Sequence, residues 1–250
     1  MNLRINGIDS SYLKIKYLDF DTRIFGFVCG RLYIKRRDLS EKIIESALRK
    51  AKKLGFRHLV IKVHSEHVYL CNLLENFNFK FKTCSLELEK KEFTKKKRVS
   101  NVFLYDSKYK DQLVSITKEG FSGRTRFHFE GEFEKRKIDE LYEKWTLNLV
   151  RDKSVKIFVY ILRKLVKGYV TVKLLDRKLE KAHIGLFAVL SNQRGKGVGT
   201  QLLERVEAEM PGSIKSLTVM TESINYPALK TYIRSGFVIT KSWNIFHLIL

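Results

Sequence analysis

Apolar residues recur at three- and four-residue intervals over 41–54, placing Ile43, Ile44, Ala47, Leu48, Ala51 and Leu54 on one side, with Gly55 as a stop. This spacing predicts an amphipathic helix. A strand over 58–63, a helix over about 66–76 and a strand over 80–88 follow by the same reading. Further on, Ile138, Leu141, Tyr142, Trp145 and Leu149 form the apolar side of a helix over about 133–150. Strands over 156–162 and 166–174 form a hairpin around 163–165, and a third strand covers 183–190. Leu202, Leu203 and Val206 mark one more helix, followed by a strand over 214–220 and a short helix between Asn225 and Gly236. The order helix, strand, helix, strand therefore occurs twice, over 41–88 and 198–250. Two domains are expected, residues 1–98 and 99–250, the second beginning near Val99. The second is an α/β fold whose mixed antiparallel and parallel sheet is flanked by helices. The first reads as a smaller, half-sized copy, with Leu73–Phe79 loosely paralleling Tyr232–Phe237.

Between the 183–190 strand and the next helix lies Arg194-Gly195-Lys196-Gly197-Val198-Gly199-Thr200. Three glycines in five residues let backbone N–H groups converge, and a helix start adds unpaired donors and partial positive charge. An anion is the expected ligand, and Arg194 and Lys196 suit a pyrophosphate. The spacing is Gly-x-Gly-x-Gly rather than the Gly-x-Gly-x-x-Gly of dinucleotide folds, and position 219 is Val where an acidic residue would stand. No Lys-Ser/Thr pair follows Gly199, which excludes a P-loop. The corresponding segment of the N-terminal half, 34–40, contains no glycine.

Composition narrows the class. The 250 residues are 44% hydrophobic, enough for one large core or two smaller ones. No apolar run approaches the roughly 20 residues of a membrane span, so a soluble cytoplasmic protein is expected. Cys29, Cys71 and Cys84 have no metal-ligand spacing and read as reduced packing residues; no metal is expected. The net charge of +22 is spread, +12 over residues 1–100 and +10 over 101–250, with only Lys95-Lys96-Lys97-Arg98 as a tight basic run. That distribution argues against a nucleic-acid patch and for attraction of small polyanions.

Arg194, Gly197 and Gly199 in Arg-x-x-Gly-x-Gly spacing resemble the acetyl-CoA pyrophosphate loop of the GNAT N-acyltransferase superfamily. The segment from Asn225 through Tyr232 to Gly236-Phe237 is similar to the second GNAT signature, in which Asn opens a short helix and Tyr lies seven residues later. The resemblance implies acetyl-CoA as co-substrate, held by Arg194, Gly195, Lys196, Gly197, Val198, Gly199 and Thr200 with Asn225. It also implies direct attack in a ternary complex, with the Val189 N–H receiving the oxyanion and Tyr232 serving the leaving thiolate. Residues 18–27, 124–128 and 141–145 look like those of two-domain GNAT enzymes typified by dTDP-fucosamine acetyltransferase. That narrower resemblance implies a nucleotide-linked amino sugar as acceptor, with Arg124 and Arg126 on its phosphates. Thr125 replaces the Ser of that pattern, and Thr231 stands where a basic residue would suit a phosphate. His183, Glu222 and His128 are candidate bases, none assigned. A homodimer is one possible assembly. Two other readings stay open: acetylation of a protein amine or other small amine, and a non-enzymatic polyanion binder with a GNAT shell.

Overall fold

The computed structural model describes residues 7–36, 39–93, 99–123, 125–129, 131, 133–174 and 180–250. Contacts divide the chain into two compact units, the first made of Met1–Ser85, Phe129–Lys137 and Ser242–Leu250 and the second of Leu86–His128 and Ile138–Lys241.

The first unit opens with β1 (Ile8–Asp9), β2 (Leu13–Tyr17), α1 (Asp19–Phe25) and β3 (Val28–Ile34). These strands pair antiparallel in succession. Next come α2 (Glu41–Lys53), β4 (Phe56–His64), α3 (Val68–Asn76) and the beginning of β5 (Lys80–Lys90). β3 and β4 are parallel, which obliges the connection through α2. On its other side β4 pairs antiparallel with residues of the last strand, from Trp243↔His64 to Ile249↔His58. Ile44, Ala47 and Ala51 of α2 pack with Leu59, Ile61 and Phe246. Leu54, expected on that apolar side, is exposed: α2 ends at Lys53 and Gly55 turns left-handed at φ +81 before the next residue is committed to the sheet.

In the second unit, the remainder of β5 is followed by β6 (Val102–Leu104), α4 (Lys110–Phe121) and α5 (Lys135–Arg151), whose first three residues belong to the first unit. Then come β7 (Val155–Leu162), β8 (Leu165–Leu174), β9 (Lys181–Val189) and α6 (Val198–Ala208). β10 (Ser216–Glu222), α7 (Tyr226–Arg234) and β11 (Val238–Ile249) follow. β6 to β9 run antiparallel, and β9 pairs parallel with β10 across α6. One sheet face buries Phe158, Val170 and Ile184 with Leu202, Leu203 and Val206 of α6. The other buries Val159, Tyr169 and Leu186 with Leu113 and Ile116 of α4. Helices thus cover both faces of a mixed sheet, the α/β class expected from the hydrophobic pattern.

The division passes through β5 and β11 and exchanges segments, whereas the sequence suggested a single cut after residue 98. Lys90, at the end of β5, shows how firmly its segment belongs to the second unit: its Nζ lies 2.7 Å from Glu207 Oε1 on α6 and 2.6 Å from the Ser235 carbonyl. In α5, Ile138, Leu141 and Tyr142 are buried as expected, but Trp145 is 38% exposed and Thr146 only 1%. A polar network accounts for the inversion. Thr146 Oγ1 lies 2.9 Å from both the Tyr142 carbonyl and Thr117 Oγ1, its single hydrogen shared between them, and Thr117 is bonded in turn to the Tyr169 hydroxyl. Cys29, Cys71 and Cys84 are free thiols, and burial pushes that of Cys29 up.

Candidate active site

The site begins where two parallel strands stop pairing. The β9–β10 register runs from Ser216↔Lys181 to Val219↔Ile184, and β9 continues five residues further, to Val189. Just there β9 carries one extra residue relative to β8, between the pairs Val172↔Ile184 and Val170↔Phe187. A bulge bends its strand and increases local twist, which turns β9 away from β10. The Thr171 hydroxyl fills the gap: Leu186 N–H donates to its Oγ1 at 2.7 Å. Gly185 leaves room for it, since a Cβ there would stand 2.9 Å from Thr171 Oγ1.

The register also orients Val189. Leu190 N–H donates to the Lys167 carbonyl on the β8 side at 3.0 Å. By the alternation of an antiparallel ladder, Val189 turns its own N–H and C=O away from β8. Its carbonyl accepts from Arg194 Nε at 3.2 Å.

Beyond Val189, a 3-10 turn over Ser191–Gln193 leads into the glycine segment. Gly195 and Gly197 have φ of +75 and +79, a region costly to residues with a Cβ, and a Cβ at Gly195 would meet nothing within 4 Å. Gly197 is the N-cap of α6. The first bond into the helix runs from Gln201 N–H to the Gly197 carbonyl at 3.0 Å, so the N–H groups of Val198, Gly199 and Thr200 precede it. Arg194, Gly195, Lys196 and Gly197 are exposed, and Val198 is buried. Gly199 serves a second purpose: a Cβ there would lie 3.1 Å from Thr231 Cγ2 and 3.2 Å from Phe187 Cζ. Its bare Cα lets the start of α6 approach α7 and β9 together.

That approach brings the loop beside the residue preceding Tyr232. Tyr232 is 3% exposed, its ring 5.6 Å from that of Phe187 and 5.5 Å from that of Phe237. Burial alone pushes its phenol well above the usual range, so it is a neutral hydroxyl at any physiological pH. Asn225 caps α7, its Oδ1 accepting from Ala228 N–H at 3.4 Å while its Nδ2 donates to Thr221 Oγ1 at 3.2 Å. Its amide is thus engaged within the helix start, and Pro227 supports the same turn.

The 125–128 turn lies in the same unit. Arg126 N–H donates to Glu222 Oε1 at 3.0 Å, and the Arg126 guanidinium stacks 4.4 Å over the Phe127 ring. Arg126 Nε is buried and has no hydrogen-bond partner among the described residues. Arg124 falls outside the described residues, as does the 95–98 basic run. Of the candidate bases, Glu222 is engaged by Arg126, His183 Nδ1 lies 2.9 Å from Thr218 Oγ1, and His128 Nε2 accepts from Gly123 N–H at 3.1 Å.

Sequence reasoning passed over Gly168. It pairs with Val189, and a Cβ there would come within 3.0 Å of the Ala188 carbonyl and 3.2 Å of Val198 Cγ1. A glycine inside a strand pattern is the signal that marks such a close approach.

Among the described residues no cluster of His, Cys, Asp and Glu has the arrangement of a metal site, and no helix is long and apolar enough to cross a membrane. Residues 119–237 match the family described as Acetyltransferase (GNAT) family. No curated protein sequence matches the chain. Among solved structures, a GCN5-related N-acetyltransferase from Sphaerobacter thermophilus is similar in fold, with TM-score 0.67 and 12% identity over 95% of this chain and 76% of that one. A functionally unknown conserved protein from Staphylococcus epidermidis gives TM-score 0.68 and 13% identity over 98% and 95%. A tandem GNAT protein from the clavulanic acid biosynthesis pathway gives TM-score 0.62 and 13% identity over 95% and 79%.

Proposed function

We propose that the protein is an N-acetyltransferase of the GNAT type that acetylates the amine of a nucleotide-diphosphate-linked amino sugar, with acetyl-CoA as donor, in the cytoplasm; the family match over residues 119–237 and the shared fold support the reading. The donor seat is residues 194–200. Open space at Gly195 and left-handed backbone at Gly195 and Gly197, with three N–H groups ahead of the first helical bond, fit a pyrophosphate. When bound, the co-substrate supplies a thioester whose carbonyl carbon is the electrophile.

The chain's own groups then divide the work. The neutral amine forms the new C–N bond as the C–S bond breaks; the amine loses one proton and the sulfur gains one. Val189 directs its N–H toward the diverging side of β9, where it receives the negative charge developing on the carbonyl oxygen. Tyr232, kept protonated by burial, donates toward the departing sulfur. Asn225 contributes by fixing α7, and so the direction of Tyr232. No covalent intermediate is needed, which agrees with Cys29 and Cys71 being buried.

The acceptor reading is carried by Arg126. A buried guanidinium nitrogen with no hydrogen-bond partner among the described residues suits an anion, and its planar fork matches phosphate oxygens. Arg124 joins it by sequence proximity. The N-terminal segment, residues 1–98, is read as a cofactor-free relative of the GNAT domain at 99–250. Steady-state kinetics test the acceptor class. Arg126→Ala is expected to raise the KM for a dTDP- or UDP-linked amino sugar about 10-fold or more while leaving the KM for acetyl-CoA unchanged. Faster acetylation of lysine peptides than of any such sugar would transfer the reading to protein amines.

A further inference from the structure

Glu119 occupies the last turn of α4, where a carboxylate faces the negative end of the helix dipole. Local electrostatics disfavour that placement, so a compensating partner is expected, and one is present. Ser191 N–H donates to Glu119 Oε1 at 2.7 Å across 72 residues of sequence. Ser191 opens the 3-10 turn that carries the chain from β9 into the glycine segment. Arg194 closes that turn, its charge acts on the same carboxylate, and its Nε holds the Val189 carbonyl at 3.2 Å.

The platform beneath Glu119 is closely packed. Gly120 lets α4 lie close on β9, since a Cβ there would stand 3.2 Å from Ala188 Cβ. One turn earlier, Thr117 is tied to Tyr169 of β8 and to Thr146 of α5.

We infer that Glu119 is a positioning residue for the acyl-donor loop: its carboxylate accepts from Ser191 N–H and so fixes the turn that Arg194 closes, leaving the loop's N–H groups preorganised. The inference rests on the donor reading above and extends it to a residue that touches no donor atom. A hydrogen bond, not charge, is the operative element, because a carboxylate beside a phosphate seat repels its ligand.

The discriminating experiment compares Glu119→Gln, which still presents an accepting oxygen to Ser191, with Glu119→Ala, which does not. CoA binding to the full chain is measured by calorimetry, acetyl-CoA kinetics at steady state, and amide exchange of the 190–197 segment by mass spectrometry without ligand. Glu119→Ala is expected to raise the CoA Kd and the acetyl-CoA KM about 10-fold, leave kcat within about 2-fold and speed exchange of the segment. Glu119→Gln is expected to restore all three to within about 3-fold of the parent. Parental CoA affinity and exchange in Glu119→Ala would overturn the inference, as would a Gln variant as impaired as the Ala variant. Failure of the parent protein to bind CoA would instead overturn the donor reading, while the exchange comparison still decides whether Glu119 sets the turn.

Discussion

α3 and α7 are both nine residues long and each follows a strand, β4 or β10, after three intervening residues, yet only α7 presents candidate site residues. α7 starts on Asn225, whose side chain accepts from Ala228 N–H; α3 starts on His67, which makes no such bond. Seven residues on, the buried position is Tyr232 in one and Leu74 in the other. The helices preceding them differ as well. The chain enters α6 through left-handed Gly195 and Gly197, but enters α2 through Ser40 in extended backbone at φ −86. Both frameworks run strand, helix, parallel strand, helix. What separates a framework from a candidate site is a cap, a hydroxyl and two glycines.

The largest effect should come from the hydroxyl. Tyr232→Phe is expected to lower kcat about 10²- to 10⁴-fold with the acetyl-CoA KM little changed, and parental turnover would reduce Tyr232 to a core residue like Leu74. Because burial raises the phenol above its ordinary value of 10.0, removing it should lower the kcat–pH profile without changing its shape through the neutral range. The sign for stability follows. The raised phenol is neutral in both states below pH 10.0, and its burial destabilises the fold progressively above that.

The reciprocal change, Leu74→Tyr, should create no second centre. Leu74 is fully buried, so the larger ring is expected to cost about 1–3 kcal/mol by overpacking, read from denaturant midpoints. Gly197→Ala places a Cβ at φ +79, with an expected cost of about 1–2 kcal/mol concentrated in the loop and a weaker CoA affinity by calorimetry. Ser40→Gly, at the matching place before α2, should leave CoA affinity untouched. Asn225→Ala should cost about 1 kcal/mol of stability, whereas His67→Asn should gain a few tenths to 1 kcal/mol if a cap is all that α3 lacks. Equal responses at the two positions would break the comparison.

Much of the candidate site was legible because its parts are local. Positive-φ glycines, a capped helix and a terminal Gly-Phe pair each declare themselves within ten residues. α4 was not legible: Ser115, Thr117, Gly120 and the weakly patterned Lys110–Phe121 stretch are poor helix signals, and the helix is held by packing on β8 and β9. Glu119 was invisible for the same reason, since its partner lies 72 residues away. Trp145 was misplaced because periodicity favours the largest apolar side chain and cannot anticipate that Thr146, by bonding Tyr142 and Thr117, takes the buried place. Pairing between β4 and the last strand is likewise non-local, so a linker-based division at residue 98 had no access to it.

Residues 242–250 belong to the first unit, and that imposes a schedule on biosynthesis. While the ribosome is still translating the donor loop, β4 has β3 on one side and nothing to pair with on the other. Phe56–His64, with Leu59, Val60 and Ile61 consecutive and Val63 beyond Lys62, then presents an open edge through the synthesis of some 180 further residues. Aggregation of the nascent protein is expected to be favoured most in that interval, which closes when Trp243 to Ile249 emerge and pair with the strand made long before them.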